Sequence, residues 1–460
     1  MVYSLNENVA LRSWIGLPYA YLDKRCNEAL PLTEEEFCIL LSCDGTIDIE
    51  EDDTLLSLLK KEIIIPGAKE LTNWQQYRNC NCRYIFELPI SITGRCNCNC
   101  LHCFNAADNN ASFDELTFSQ LKNIIDECLE CGIQNINLTG GEPTLHPNIR
   151  ELIKYIYDKG LNLASICTNG LTLNRELLDL FKKYFPHMQF RISFDGLGFH
   201  DWMRNIPGCE EKALNAIRLV VEYDFHLMVN MNVNRKNKDS ILPSIRLLDD
   251  LGVESTKIIV TTEAPRWRQN AEGMSLTLKE YDDFCIDFLK EWKETAKNME
   301  VVFWQFGSFN PQLKIFHATP VKDTCANFKD SRPLCHGMRL RGYISPTGEL
   351  YPCQPSSGYM IEQKMHLGNV LKEGLKKNLQ EGDYVQFITQ TIKGRLSNGK
   401  CGDCKYFKQC QGGCPILAMV FSDTHDPLNP DEFKCFYFEN DYYDKTREAL
   451  EGWKSLIPLE

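Results

Sequence analysis

Four cysteines lie within eight residues of the stretch TGRCNCNCLHCF, which occupies positions 93 to 104. Thiols this close together can bind a metal centre, form disulfides or serve as small buried side chains. Cys96, Cys100 and Cys103 have the spacing C-x3-C-x2-C, which on a loop lets three thiolates converge on one face of an iron–sulfur cluster. Three protein ligands would leave one iron of a four-iron cluster open to a substrate or cofactor. Cys98 would break this three-point convergence, and we therefore predict that it is not a ligand.

Cysteine is frequent along the whole chain, which has 22 cysteines among 460 residues. The N-terminus has no basic stretch followed by an apolar one, and no apolar run reaches the roughly 20 residues of a membrane helix. These features predict a cytoplasmic protein, in which cysteine clusters more often bind metal than form disulfides. A net charge of −13 argues against a general nucleic-acid surface, so we expect neither nucleic acid nor membrane as a partner.

The cysteines form one cluster at 80–103 and a second at 325–435. Between the two clusters, apolar surroundings predict that the remaining cysteines are buried in the core. These are Cys128, Cys131, Cys167, Cys209 and Cys285.

Residues 1–83 have the pattern of a small separate domain. Apolar residues at 8–24 predict a pair of strands. Thr33 and Glu36 form a capping box ahead of a helix, and this helix should bury one apolar face. That face would contain Phe37, Leu40 and Leu41. A second amphipathic helix and a short strand follow, which indicates a winged-helix-like domain, although any small α+β domain would fit the pattern.

Strands and helices alternate through residues 84–310. The six apolar strand candidates are 84–92, 135–138, 161–167, 189–194, 227–233 and 257–261. Helical patterns separate them, and Gly132 stands where the C-cap of the first helix belongs. Six strand–helix units in a row predict an α/β fold with a parallel sheet covered by helices, a partial (β/α)6 barrel. In such folds the chemistry lies at the carboxyl ends of the strands.

Short motifs stand at four successive strand ends, which agrees with that rule. The cysteine stretch follows the first strand, TGGEP (139–143) the second, TNG (168–170) the third and SFDG (193–196) the fourth. In TGGEP, Gly140 and Gly141 let the backbone approach a ligand closely, and Glu142 offers an acceptor for an ammonium group. In SFDG, Ser193 and Asp195 are candidates to bind ribose-type hydroxyls.

Residues 311–460 contain the second cysteine cluster. Cys335 is followed by Gly348 and Cys353, and then by the run Cys401-x2-Cys404-x5-Cys410-x3-Cys414 with Cys435 beyond it. Two pairs of this kind suit tetrahedral zinc, so the spacing alone leaves a zinc ribbon open beside iron–sulfur clusters.

The cysteine triplet, TGGEP and SFDG together resemble the radical S-adenosylmethionine (SAM) superfamily over residues 84–300. The resemblance implies that Cys96, Cys100 and Cys103 bind a [4Fe–4S] cluster whose open iron chelates SAM. It also implies reductive cleavage of SAM to a 5′-deoxyadenosyl radical, which removes a hydrogen atom from the substrate. The SAM-binding residues would be Phe104, Gly140, Gly141, Glu142, Ser193 and Asp195. His102, His200 and Arg204 are expected to be structural or adjacent to the cluster and SAM rather than catalytic.

The C-terminal cysteines resemble the SPASM extension of that superfamily, which holds two auxiliary [4Fe–4S] clusters. By this resemblance the first auxiliary cluster would bind Cys325, Cys335, Cys353 and Cys414. The second would bind Cys401, Cys404, Cys410 and Cys435. If Cys325 does not ligate, the first auxiliary cluster has an open iron.

The N-terminal pattern is similar to the RiPP recognition element, a domain that takes the leader of a ribosomally made peptide as an added strand. The chain is therefore expected to be a peptide maturase that binds a precursor peptide and installs an oxidative thioether or other cross-link. Its electron donor would be a flavodoxin or ferredoxin. Carbon–carbon cross-linking, decarboxylation or epimerisation fit the same scaffold, with Cys209 a conceivable hydrogen donor for epimerisation.

Two alternatives remain, one another enzyme and the other a protein of a different class. A sulfatase-maturase-like protein oxidase would use the same clusters without needing the N-terminal domain. A catalytically silent iron–sulfur protein would have no need of an open cluster iron. The sequence does not specify the modified residue, the bond that forms or the oligomeric state.

Overall fold

The structure is a computed structural model that describes residues 1–103, 113–261, 265–318, 331–397 and 399–456. Two residues with predicted roles, Phe104 and Cys325, lie outside the described residues. No helix in the described part of the chain is both long enough and apolar enough to cross a membrane.

The N-terminal part contains two small sheets and two helices. Its strands are β1 Val2–Leu5, β2 Val9–Ile15, β3 Leu17–Asp23, β4 Glu28–Pro31, β5 Asp44–Asp48, β6 Ile64–Pro66 and β7 Arg78–Arg83, and its helices are α1 Glu34–Ser42 and α2 Asp53–Lys60. One sheet has the order β5-β1-β6 and the other β4-β3-β2-β7. The predicted strand pair is confirmed as the antiparallel β2–β3 hairpin.

The capping box that begins α1 is confirmed. The amide of Glu36 donates to Thr33 Oγ1 at 3.1 Å, and the Thr33 amide donates to Glu36 Oε2 at 2.8 Å. Phe37 and Leu40 are buried as predicted, but Leu41 is 44% exposed. Consecutive residues lie about 100° apart around a helix, so Leu41 turns away from the face on which Leu40 packs.

Seven parallel strands form the centre of the structure. They are β8 Glu87–Ser91, β9 Asn135–Thr139, β10 Asn162–Thr168, β11 Gln189–Ser193, β12 His226–Val233, β13 Ser255–Val260 and β14 Glu300–Phe303, paired in this order. Among them the described residues form the α-helices α3 Phe118–Cys131, α4 Ile149–Asp158, α5 Arg175–Tyr184, α6 His200–Arg204, α7 Cys209–Glu222, α8 Lys238–Asp250, α9 Pro265–Asn270 and α10 Leu278–Trp292. The six predicted strands are confirmed, and β14 is a seventh whose four residues gave too short a pattern to find.

Helices pack on the sheet through the apolar faces that the sequence predicted. On α3 the buried residues are Leu121, Ile124, Ile125, Cys128 and Cys131. Gly132 ends this helix in the left-handed region, with φ +73°, and a Cβ there would lie 2.7 Å from the ring of Trp14. Glycine is therefore needed both for the turn and for close packing against the N-terminal part.

The C-terminal part is mostly short helices. Its elements are β15 Gly307–Asn310, β16 Ile315–Ala318, α11 His336–Leu340, β17 Tyr343–Ile344, β18 Leu350–Tyr351, α12 Gln354–Glu362, α13 Val370–Glu373, α14 Leu375–Gln380, α15 Asp383–Ile388, α16 Ile392–Leu396, α17 Gly399–Gly402, α18 Phe407–Cys410, α19 Pro415–Val420, α20 Glu432–Glu439, α21 Tyr442–Ala449 and β19 Lys454–Ser455.

This part extends the central sheet at both ends. The full order is β18-β17-β8-β9-β10-β11-β12-β13-β14-β15-β16-β19, and the two outermost strands are not paired with each other. The sheet is thus an open, partial barrel, as predicted. Because β17 pairs with β8 and β19 with β16, residues beyond 330 hold both margins of the barrel in place.

Candidate functional site

The cysteine-rich loop lies at the carboxyl end of β8. Cys96 and Cys100 are 8% and 7% exposed and pack together with Cys98, while Cys103 packs against the group from a more exposed position. The three predicted ligands are therefore brought to one place. A set of three neighbouring thiols at the mouth of a barrel has the donor chemistry that an iron–sulfur cluster requires.

Neighbouring strand ends hold this loop through polar contacts. The amides of Asn99 and Leu101 donate to the carbonyls of Arg204 and Met203, at 3.1 and 3.0 Å. Asn169 Nδ2, after β10, donates to Asn97 Oδ1 at 2.7 Å. Contacts within the protein thus fix the loop from two sides.

The two glycines of TGGEP bring two backbone segments together. The amide of Gly141 donates to the carbonyl of Thr93, and that of Glu142 to the carbonyl of Arg95, both at 2.7 Å. A Cβ on Gly140 would lie 2.5 Å from the Thr93 carbonyl oxygen. The close approach that we predicted towards a ligand is therefore made, in this structure, towards the loop that carries the cysteines.

Glu142 joins the ends of β9 and β10. Its carboxylate is wholly buried and accepts from Thr168 Oγ1 and from the Asn169 amide, both at 2.7 Å, and from Thr144. Burial raises the pKa of Glu142, and these donors oppose the rise. The structure thus gives Glu142 an architectural task, and its contact with an ammonium group stays a prediction.

Asp195 forms an internal ion pair with Arg204. Asp195 is wholly buried, its Oδ2 lies 2.8 Å from Arg204 Nε, and its Oδ1 accepts from the Asn232 amide at 2.9 Å. Burial alone would raise the pKa of Asp195, but the positive charge of Arg204 lowers it well below its usual range. A ribose contact stays a prediction for both Asp195 and Ser193. Ser193 is half-buried at the end of β11.

Arg204 also connects this ion pair to the cysteine loop. Its Nη1 donates to Cys100 Sγ at 3.6 Å. His200 Nδ1 accepts from the Asp195 amide at 3.0 Å. Arg204 therefore contacts the cysteine loop directly, and His200 supports Asp195; that neither residue is catalytic stays a prediction.

Two residues of this region received no individual role from the sequence, although Asn169 belongs to the TNG motif. Asn169 contacts the cysteine loop, and Asn232 Nδ2 lies 3.1 Å from His102 Nε2. Each stands at or just after the carboxyl end of a strand, which is the positional signal that would have found it.

The five cysteines between the clusters differ in their burial. Four of them are fully buried as predicted, but Cys167 is only partly buried. Cys167 pairs in register with Arg191, so the two lie side by side on neighbouring strands. Cys209 begins α7 with its Sγ 3.9 Å from the carbonyl of His200, in the core rather than at a strand end.

Four cysteines of the C-terminal part line one cavity of about 280 Å³. They are Cys401, Cys404, Cys410 and Cys435, the predicted ligands of the second auxiliary cluster. Tyr406 and Phe407 also line this cavity. Four thiols around one cavity form a donor set that fits an iron–sulfur cluster.

Cys335, Cys353 and Cys414 stand at the N-caps of α11, α12 and α19. Burial raises the pKa of Cys353 to about 11, with a contribution from Cys335, and burial raises that of Cys414, with contributions from Asp431, Cys335 and Cys353. The three thiols therefore lie within electrostatic range of one another, and burial disfavours the charged forms of Cys353 and Cys414. They fit the first auxiliary site, for which the fourth predicted ligand lies outside the described residues.

Together, a partial barrel with a cysteine triplet at its mouth and a cysteine-rich C-terminal part define a class of protein. Residues 90–248 match the radical SAM superfamily, and residues 335–405 match the SPASM iron–sulfur cluster-binding domain. The chain therefore carries a radical SAM domain and a SPASM domain and is a radical SAM enzyme, which uses SAM and iron–sulfur chemistry.

The chain is also similar to individual proteins, at sequence identities below 30%. The chain is 25% identical over 350 residues to an AdoMet-dependent heme synthase of Methanosarcina barkeri, a match covering 75% of this chain and 95% of that protein. It is 29% identical to the subtilosin biosynthesis protein AlbA of Bacillus subtilis, covering 74% of this chain and 70% of AlbA. Streptococcus suis SuiB bound to its precursor peptide SuiA has a similar fold, with a TM-score of 0.66, 15% identity and coverage of 94% and 99%.

Proposed function

We propose that this radical SAM enzyme is a peptide maturase that binds the leader of a ribosomally made precursor and cross-links the segment that follows. The reaction that fits best is oxidative thioether formation. Residues 1–83 would bind the leader, residues 84–310 would carry out the radical step, and residues 311–460 would hold two auxiliary clusters.

One observation carries the proposal: the fold likeness to peptide-bound SuiB extends over 94% of this chain. The heme synthase is matched over 95% of its own length by only 75% of this chain, so about a quarter of this chain has no counterpart there. This chain therefore has an additional part that SuiB shares and that the heme synthase lacks. That difference supports a peptide substrate.

The geometry of the N-terminal sheets indicates where a leader strand would add. Of the outer strands, β4 and β6 each end in proline, which cannot donate a ladder hydrogen bond, and β7 packs against α3 and α14. β5 contains no proline, and its residues Thr46, Ile47 and Asp48 are exposed. We therefore assign the edge of β5 as the leader-binding strand.

The chain's own residues would hold the cofactors in three places. Cys96, Cys100 and Cys103 would ligate the SAM-binding cluster, while Gly140, Gly141, Glu142, Ser193 and Asp195 would contact SAM. When bound, the cluster and SAM supply the radical that takes a hydrogen atom from the peptide. The protein would position the peptide over the barrel mouth and exclude water there.

The auxiliary ligands would be Cys335, Cys353 and Cys414, with Cys325, for one cluster and Cys401, Cys404, Cys410 and Cys435 for the other. A flavodoxin or ferredoxin would deliver electrons. Iron and sulfide analysis tests this arrangement, since three four-iron clusters require about 12 irons per chain. A value near four would contradict both auxiliary clusters.

Leader binding is tested with a candidate precursor peptide, sought as a short open reading frame beside the gene. We expect the full-length peptide to bind and to lose a pair of hydrogen atoms, and the same core without its leader to react poorly. Ile47→Asp, on the edge of β5, should weaken leader binding. Leu313→Asp, at a side chain that is 65% exposed, is the matched control and should not. Equal reaction of peptides with and without leader would instead favour a sulfatase-maturase-like oxidase.

A further inference from the structure

Cys98 is a fourth thiol inside the predicted SAM-cluster site. Its side chain is 1% exposed and packs with Cys96 and Cys100. The three side chains form one buried cluster. A residue that we predicted not to be a ligand therefore packs among the predicted ligands.

The contacts of Cys98 are polar. Its amide donates to Cys96 Sγ at 3.4 Å, and Asn169 Nδ2 lies 3.4 Å from Cys98 Sγ. A cysteine that served only as a small apolar side chain would be surrounded by carbon atoms. The immediate partners here are sulfur and amide groups, so the thiol takes part in the polar network around the site.

A thiol has one proton to donate, and the sulfur of a metal-bound cysteine is an acceptor. Cys98 is therefore a donor if Cys96 and Cys100 are ligands. Hydrogen bonds to cluster sulfurs help to set the reduction potential of an iron–sulfur cluster. They favour the reduced state because that state carries the additional negative charge.

We propose that Cys98 is a positioning residue whose thiol donates a hydrogen bond to the ligand sulfur of Cys96 or Cys100 and makes the cluster easier to reduce. This inference rests on the proposed ligand assignment. It adds a role for a side chain that is neither a ligand nor a substrate contact. Arg204 Nη1 and the Cys98 amide complete a set of donors around the two sulfurs.

Three substitutions at Cys98 separate the effect of the hydrogen-bond donor from the effect of the side-chain volume. Cys98→Ala removes the donor and the volume, Cys98→Val keeps volume without a donor, and Cys98→Ser keeps a donor in a similar shape. Each purified protein, reconstituted under anaerobic conditions, is titrated with reductant while the EPR signal that responds to added SAM is followed. Iron content is measured in parallel.

We expect the ratio of reduced to oxidised cluster at a fixed potential to fall about tenfold in the Ala and Val variants, which for a one-electron couple is about 59 mV. The Ser variant should stay near the parent. Equal potentials in all four proteins would overturn the inference while leaving the ligand assignment intact. Loss of the cluster from the Ala and Val variants would make Cys98 a ligand and also overturn it. A parent protein without a SAM-responsive cluster would refute the ligand assignment itself.

Discussion

Substitution of Gly141 by alanine tests whether the TGGEP backbone holds the cysteine loop in place. A Cβ on Gly141 would lie 2.6 Å from the carbonyl oxygen of Gly94 and closer still to that of Arg95. Side-chain carbon atoms do not approach backbone oxygens this closely, so the loop must move by several tenths of an ångström or more. The movement would strain the hydrogen bonds that Thr93 and Arg95 accept at 2.7 Å.

The cost follows from these contacts. Overpacking of a close contact costs about 1–3 kcal/mol, and each of two strained backbone hydrogen bonds about 1 kcal/mol. We therefore expect Gly141→Ala to destabilise the holoprotein by about 3–5 kcal/mol. Because the shifted loop carries Cys96, the variant should also lose iron more readily.

Iron release to a chelator and urea unfolding of the reconstituted protein measure the two effects. The control is Gly399→Ala, since a Cβ on Gly399 meets no atom within 4 Å and Gly399 lies in α17. Alanine favours a helix, so the control should be neutral or slightly stabilising. A Gly141→Ala protein that keeps its iron and unfolds like the parent would refute the proposed hold on the loop.

Three further changes have defined outcomes. Arg204→Met leaves the buried Asp195 carboxylate without its cation and should cost about 3–5 kcal/mol in urea unfolding, whereas the double variant with Asp195→Asn should recover part of it. Thr33→Ala removes the cap of α1 and should lower stability by about 1 kcal/mol, and an unchanged denaturation midpoint would show that the cap contributes nothing. Cys435→Ser should lower the iron content by about four per chain while SAM binding persists; a full iron complement would contradict its ligand role.

The parallel core could be predicted from the sequence because its strands are apolar, bounded by amphipathic helices and long enough to show a period. The sequence did not predict β14, because a four-residue strand carries little pattern. It also did not predict how the margins of the barrel pair, because β17 and β19 are two-residue strands contributed from far along the chain. Pairing between such distant and short segments is decided by tertiary packing, which local pattern does not contain.

The site was predictable in its residue types but not in its contacts. Strand-end position and cysteine spacing identified the loop, TGGEP and SFDG. The internal use of their polar groups was not visible, because local pattern does not show that Gly141 bonds to Thr93 or that Asp195 is held by Asn232 and Arg204. A short motif therefore indicates where the chemistry lies, and only the fold shows which of its groups support the site and which remain for a ligand.

The most direct test of the central claim is mass spectrometry of the precursor peptide after incubation with the reconstituted protein, SAM and reductant. The proposed function predicts 5′-deoxyadenosine together with a peptide that has lost a pair of hydrogen atoms, both abolished in Cys100→Ala and both still formed, although more slowly, in Cys98→Ala. A peptide that stays unmodified while 5′-deoxyadenosine accumulates, or a reaction that does not depend on the leader, would contradict it.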